Sequence, residues 1–271
     1  MTNRDGTPLF SLSVPGGGEG STKESTMDWR DSGIVLSTRR HGERALLLHV
    51  LTLEHGRHAG LLRNGQSVKQ RGWYEIGNQL DLAWRARLAE HLGMFRAELE
   101  ASHAARFLDD GPRLAALVAA TALADATLPE HEPHPRAYRG LLALIAALEE
   151  NRGWAEFYVR WELDLLAELG FGLDLASCAA TGRNDTLIYV SPRSGQAVSA
   201  SAGEPYRDRL LVLPPFLVAP GPPTSADLAD GLALTGFFLE RRVVEPHGRK
   251  MPPARARFVD AIRRMATMGG G

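Results

Sequence analysis

The chain has 271 residues, of which 44% are hydrophobic, and its formal net charge is −1. This length suits about two domains with a substantial buried core. The single cysteine, Cys178, excludes an internal disulfide and a four-cysteine zinc site.

Charge is unevenly distributed along the sequence. Residues 28–91 carry ten Lys/Arg against seven Asp/Glu, residues 106–176 six against twelve, and residues 241–268 eight against two. Two basic segments therefore flank an acidic middle. No run reaches the roughly 18 apolar residues that a membrane span needs, and the N-terminus lacks a signal-peptide pattern. We expect a soluble cytoplasmic protein with no membrane partner.

Residues 1–26 differ in composition from the rest of the chain. They include the tract Pro15-Gly-Gly-Gly-Glu-Gly-Ser, which cannot bury enough apolar surface to fold. The strand pattern begins directly after Met27. We interpret residues 1–26 as a disordered extension or an artefact of start-site choice, with Met27 as the functional start.

Residues 27–102 predict β structure. Short apolar runs at 34–37, 44–53 and 58–63 are separated by turn signals at Gly56 and Asn64-Gly65. Residues 76–88 alternate apolar and polar, which places Trp84 on the core side, and residues 95–99 form a fifth candidate strand. Five short strands in about 70 residues predict a small barrel, of which the OB-fold is the common oligonucleotide-binding example.

Residues 103–268 predict a helical domain, so that the fold class is α+β. Apolar spacing indicates helices at 113–127, 136–151, 153–170, 224–243 and 255–265. The helix at 153–170 carries an apolar stripe that includes Trp154, Tyr158 and Trp161, and it is the expected centre of a bundle. Glu162 is assigned to its polar side. The pattern at about 177–205 predicts an insert that forms a small β-hairpin.

The sequence shows no catalytic centre. It lacks phosphate-loop, dinucleotide-binding and zinc-protease motifs. His131, Glu132 and His134 lie between prolines in a helix connection and fit an exposed loop better than a metal site. Asp110 precedes a helix and fits a charged cap. Cys178 has no neighbouring lysine or histidine to activate it. We therefore predict no catalytic residue, no cofactor and no metal.

Basic residues in the barrel region form the better functional candidate. Basic loops with nearby aromatic residues, here Trp73 and Tyr74, fit single-stranded nucleic acid, because cations follow the phosphates and rings stack on bases. The arginines are expected in loops between strands. The predicted DNA-binding residues are Arg39, Arg40, Arg44, Arg63, Lys69 and Arg71.

Taken in order, several segments resemble the RecO family of bacterial recombination mediators. They are residues 31–36, the 46–63 hairpin, the 80–93 run containing Trp84, the 154–173 helix leading to Cys178, and residues 252–258. The resemblance implies an N-terminal OB-fold and a helical domain with an insert that binds zinc through four cysteines in some members. Only Cys178 remains here, so zinc is not carried over.

The resemblance also implies a function in DNA repair and homologous recombination, in the RecF pathway and without enzymatic activity. Such a protein binds single- and double-stranded DNA, anneals complementary strands, works with RecR, and helps load recombinase onto DNA coated with single-stranded DNA-binding protein. The acidic tail of that last partner needs cations beside an apolar groove. The candidates on the helical domain are Arg136, Arg139, Arg255 and Arg257. The alternative is an OB-fold scaffold that acts through protein partners with incidental DNA contact.

Overall fold

The structure is a computed structural model that describes residues 27–63, 65, 67, 70–88 and 91–268. The interpretation of residues 1–26 as a disordered extension lies outside the described residues. From Met27 onward the chain forms a β-barrel, then a helical bundle that carries a small three-stranded sheet. The α+β class and the five-stranded barrel predicted from sequence are confirmed.

The barrel strands are β1 (Met27–His41), β2 (Ala45–Thr52), β3 (Gly56–Leu62), β4 (Gln79–Ala86) and β5 (Gly93–Ala101). The barrel closes in the strand order β1-β2-β3-β5-β4. Its pairs are antiparallel except for β3 and β5, which run parallel. This is the five-stranded Greek-key barrel of an OB-fold.

Strict alternation in β4 builds the barrel core. Leu80, Leu82 and Trp84 are all buried, as their spacing of two predicts. The indole of Trp84 lies against Gly93, where an added Cβ would stand 2.2 Å from Nε1. Glycine is therefore required at the start of β5 to admit the largest side chain of the core. Leu88, beyond the strand end, is exposed.

The helical part begins with a capped helix. The Asp110 side chain accepts a hydrogen bond from the Arg113 amide, and Pro112 occupies the first turn. A capping box between Thr224 and Asp227 likewise starts the helix that begins at Ser225. Along the described ranges, no helix is long and apolar enough to span a bilayer. The helices are α1 (Gly111–Thr127), α2 (Pro135–Glu150), α3 (Trp154–Glu168), α4 (Ala200–Gly203), α5 (Ser225–Phe238) and α6 (Pro253–Met268).

Helix α3 is the centre of the bundle, as its apolar stripe predicts. Trp154, Tyr158 and Trp161 are buried among α2, α5 and α6. The assignment of Glu162 to the polar side is wrong, because this residue is completely buried. It lies four residues after Tyr158 and therefore shares the core-facing side of the helix.

The insert contains one strand more than expected. β6 (Leu187–Val190) lies between β7 (Ala197–Ser199) and β8 (Leu211–Val212). Helix α5 continues into a π-helical turn, Leu239–Val244, that the sequence did not predict. The short 3-10 helices are Arg71–Tyr74, Ala104–Phe107, Glu204–Arg209, Pro215–Leu217 and Glu245–His247.

Candidate nucleic-acid interface

The β1–β2 hairpin carries the first basic residues. The expectation that Arg39 and Arg40 lie in a loop is wrong, because β1 continues to His41. Arg39 pairs with Leu47 and Arg40 with Leu46, and only residues 42–44 form the turn. Gly42 has φ +62°, a left-handed conformation that lets so short a turn reverse the chain.

Strand alternation separates the two arginines. Opposed residues in an antiparallel pair project from the same face, so Arg40 shares a face with Leu46 and Arg39 shares the other with Leu47. Leu46 packs against the barrel core. Arg40 therefore lies at the end of the barrel where β1 ends and β2 begins, which we call the barrel mouth. Arg39 lies on the outer surface. Both side chains are exposed, so together they cover two sides of the hairpin end.

Strand β3 ends beside the same hairpin. Leu46 pairs with Leu62, and the exposed Arg63 comes directly after it. Gly65 folds back onto the side chains of Leu46 and Leu62, where an added Cβ would lie 2.9 Å from each. Arg44 in the turn and Arg63 therefore project at one end of the barrel.

The described residues in the rest of the segment between β3 and β4 offer fewer contacts for nucleic acid than its basic and aromatic composition suggested. Arg71 opens the 3-10 turn and is exposed, whereas Lys69 lies outside the described residues. Tyr74 is buried, and burial raises the pKa of its hydroxyl. Trp73 packs against the barrel core in an edge contact with Tyr74. These two rings stabilise the barrel, so Tyr74 does not offer a free face to a base.

The basic residues at this end are not neutralised by the protein. Within the described part of the chain, none of the five predicted arginines there forms an ion pair with a carboxylate. Exposed cations without intramolecular partners are the usual surface for phosphate contact. The five residues are Arg39, Arg40, Arg44, Arg63 and Arg71, and we call them the barrel-mouth arginines.

Helix α1 packs against β1 and β2. Ile34 and Leu51 belong to the core of the helical bundle rather than to that of the barrel. Asp125 accepts hydrogen bonds from Ser37 at 2.9 Å and Arg57 at 3.2 Å, and its carboxylate lies 2.9 Å from His49 Nδ1. The bundle therefore covers the barrel on this side.

Three of the four predicted partner-binding arginines are on the surface. Arg136 and Arg139 are exposed on α2. Arg257 is exposed on α6 and lines an apolar cavity of about 300 Å³ with Leu114 and Val118 of α1. An apolar cavity beside a cation suits a carboxylate-terminated apolar peptide.

Arg255 must be removed from the partner-binding set. It is 6% exposed, and it donates to both carboxylate oxygens of Glu162 at 2.7 and 2.8 Å and to the Leu232 carbonyl at 2.7 Å. Burial alone lowers the pKa of Arg255, but the Glu162 carboxylate more than compensates and raises it. The sequence does contain a signal for this pair, because Glu162 lies at helical spacing within the apolar stripe of α3.

The described residues offer no metal centre. Within them, no group of three or more His, Cys, Asp or Glu side chains is arranged to hold an ion. His134 is buried, and its Nδ1 lies 3.1 Å from Glu168 Oε1. Cys178 is buried, and its Sγ accepts a hydrogen bond from the Ser199 amide. Both side chains therefore have structural contacts.

Comparison with known proteins gives consistent matches over most of the chain. Residues 27–103 match the family model described as Recombination protein O N terminal, and residues 108–251 match Recombination protein O C terminal. The DNA repair protein RecO of Rhodospirillum centenum is 55% identical over 246 residues, which are 90% of this chain and 98% of that protein. The protein of the same name from Rhodospirillum rubrum is 47% identical and covers 88% of this chain and 97% of its own.

Proposed function

Because the chain belongs to the RecO family of DNA repair proteins, which act in repair and recombination, we propose that it is a recombination mediator of the RecF pathway. In this proposal it binds single- and double-stranded DNA, anneals complementary strands, and helps load recombinase onto DNA coated with single-stranded DNA-binding protein. It performs no chemical step of its own, and it works in the cytoplasm at the nucleoid.

The observation that supports DNA binding most directly is the set of barrel-mouth arginines. They are exposed, and they have no carboxylate partner among the described residues. Arg40, Arg44 and Arg63 project at one end of the barrel, and Arg39 lies on the outer surface beside them. Guanidinium groups form paired hydrogen bonds with phosphate. These residues are all arginines and bring no carboxylate or amide to base edges, so binding is expected to be independent of sequence.

The proposed protein partners are RecR and single-stranded DNA-binding protein. We place the acidic tail of the latter on the helical bundle, through Arg136 and Arg139 on α2 or through Arg257 on α6. The cavity beside Arg257 favours the second position, because it offers an apolar surface next to the cation. Charge reversal of Arg136 and Arg139 together with Arg257 should abolish binding of a tail peptide.

The alternative function is a scaffold for proteins with incidental DNA contact. A scaffold would need the exposed apolar and charged surfaces of the bundle but not the barrel-mouth arginines. Strand annealing by the purified protein separates the two functions, since a scaffold would not accelerate it.

Replacement of Arg39 and Arg40 by glutamine tests the proposal. Single-strand affinity should fall for every sequence, and the log–log dependence of affinity on salt should flatten by about 0.7 for each phosphate that the variant no longer neutralises. Annealing should decline in parallel. Arg96→Gln is the matched control, because Arg96 is exposed on β5 and pairs opposite Ala83. The barrel assignment would be refuted if the double variant, like Arg96→Gln, kept the wild-type affinity for single strands and the wild-type salt dependence.

A further inference from the structure

A second basic surface lies on the bundle, where the insert meets the end of α5. An open groove of about 560 Å³ runs between the β6–β7 turn, the segment before β8 and the π-helical turn. Its floor is apolar and its rim is basic. The groove is lined by Pro192, Arg193, Asp208, Arg209, Leu210, Leu211, Phe237, Arg241 and Arg242.

Arg242 fixes the geometry of the groove. Its guanidinium lies 4.7 Å from the centre of the Phe238 ring, and Nη2 donates to the Arg193 carbonyl at 3.0 Å. Gly195 packs closely against the same guanidinium, where an added Cβ would be 3.2 Å from Nη1. Arg242 therefore joins the β6–β7 turn to the bundle, and this contact determines the position of Arg193.

Arg241 and Arg242 both belong to the π-helical turn. Such turns are rare and often occur at functional sites. Arg241 lies over the ring of Phe237, 5.9 Å from its centre. Cation–π contacts hold both guanidiniums in place before any ligand arrives, so that less entropy is lost on binding.

The groove carries excess positive charge. Within the described part of the chain, Arg193, Arg209, Arg241 and Arg242 form no ion pair with a carboxylate. The acidic lining residue, Asp208, lies 3.8 Å from Arg207. Four guanidiniums without a carboxylate partner around one surface indicate an anionic ligand with several charges.

We propose that this groove is a second site for single-stranded nucleic acid, separate from the barrel mouth. The arginines would contact phosphates, while Leu210 and the guanidinium planes, one of them stacked on Phe237, would lie against unpaired bases. The inference rests on the proposed DNA-binding function and adds a surface that could hold a second strand during annealing.

Charge count favours a nucleic acid over an acidic peptide. One or two cations suffice for a peptide carboxylate, whereas four arginines along an open groove match a chain with repeated charges. A single strand is favoured over a duplex, because the apolar floor has a use only if bases are unpaired.

The test measures how many short oligothymidylates, of about ten nucleotides, bind each protein molecule. Wild type should bind two. Arg209→Gln/Arg241→Gln should bind only one, with affinity at the groove lowered at least about tenfold, since two charge-assisted contacts are removed. Arg207→Gln is the matched control, because Arg207 is exposed on the same 3-10 helix but pairs with Glu204. Thermal melting confirms that each variant is folded, and photocrosslinking with peptide mapping should identify residues 207–211 or 237–242 in wild type.

The outcomes separate this inference from the barrel proposal. If the groove variant loses one oligomer and Arg39→Gln/Arg40→Gln loses the other, both sites are supported. Loss in the groove variant alone supports the groove and refutes the barrel assignment. A groove variant that binds DNA as wild type does overturns the inference. If it instead loses binding of an oligoglutamate peptide ending in phenylalanine, the groove is a peptide site.

Discussion

At the scale of single residues, the Glu162–Arg255 pair shows how a charged residue can be structural. Both side chains are buried, and Thr235 also donates to the Glu162 carboxylate. Removal of one charge leaves the other buried without its partner, which is far more costly than losing an exposed ion pair. Charge reversal at Arg255 would therefore unfold the bundle before it reported on any partner.

We expect Arg255→Met to lower the free energy of unfolding by about 3–5 kcal/mol. Arg255→Met/Glu162→Leu should recover much of this loss, because no charge then remains buried. Denaturant titration measures both variants, with the exposed Arg257→Met as control. A double variant no more stable than Arg255→Met would contradict this account.

His58 makes a second residue-scale prediction, about acid sensitivity. Burial and repulsion from His131 lower the pKa of His58 from its ordinary value to about 4, although a hydrogen bond with the His55 backbone and the charge of Glu130 oppose the shift. In the unfolded chain this histidine takes up its proton near pH 6.5. At a pH between these two pKa values, the protein therefore takes up a proton at His58 when it unfolds. The contribution of His58 to stability is lost as pH falls from about 6.5 towards 4.

Melting temperature should consequently drop between about pH 7 and pH 5, and His58→Gln should reduce that drop. His41→Gln is the matched control, because His41 is exposed at the end of β1. Equal acid sensitivity in wild type and His58→Gln would show that other groups govern it.

At the scale of elements, periodic sequence patterns predicted the secondary structure, whereas isolated tertiary contacts could not be predicted from the sequence. The alternation in β4 and the stripe on α3 predicted strands, helices and the burial of Trp84 correctly. Strand β8 has only two residues and no periodicity to detect. The π-helical turn depends on tertiary packing. Arg39 and Arg40 were predicted to lie in a loop because two adjacent charged residues are not typical of a strand, although both pair with β2. The joint around Asp125 brings together residues 88 positions apart, which no local pattern reveals.

The insert gives a prediction at this scale. Leu187, Val190, Ala197 and Val198 are buried and belong to the core of the bundle, so the small sheet has apolar contacts to hold it. We expect chelator treatment to leave the melting temperature unchanged, because apolar burial supplies what a structural metal would otherwise contribute. Elemental analysis of the treated protein is the check, and stoichiometric zinc with a chelator-dependent melt would contradict the prediction.

At the scale of the molecule, the barrel and the bundle meet through a polar joint. Arg57 is buried between them and contacts the Leu128 carbonyl, Asp125 and Glu130. Gly56 approaches the Glu132 backbone so closely that an added Cβ would lie 1.9 Å from its carbonyl oxygen. The joint holds the barrel mouth at a fixed orientation to the bundle, which is needed if DNA and partner proteins are held together.

Asp125 accepts hydrogen bonds from Ser37 and Arg57 of the barrel across this joint. Burial raises the pKa of Asp125, but hydrogen bonds from His49 and Ser37 and the charge of Arg57 outweigh it, so that the pKa is lowered. The carboxylate thus stabilises the fold above the usual carboxyl range and loses that contribution as pH falls below about 4.

Asp125→Asn should destabilise the protein at neutral pH by about 2–3 kcal/mol, because Arg57 stays buried with Glu130 as its remaining carboxylate. Since the hydrogen bonds of Asp125 join barrel to bundle, calorimetry should show the melting transition broaden or separate into two. Asp109→Asn is the control, because Asp109 is exposed at the start of the bundle and its replacement should cost less than about 0.5 kcal/mol. A single sharp transition with unchanged stability in Asp125→Asn would mean that the apolar contacts of Ile34 and Leu51 with α1 hold the two parts together without the carboxylate.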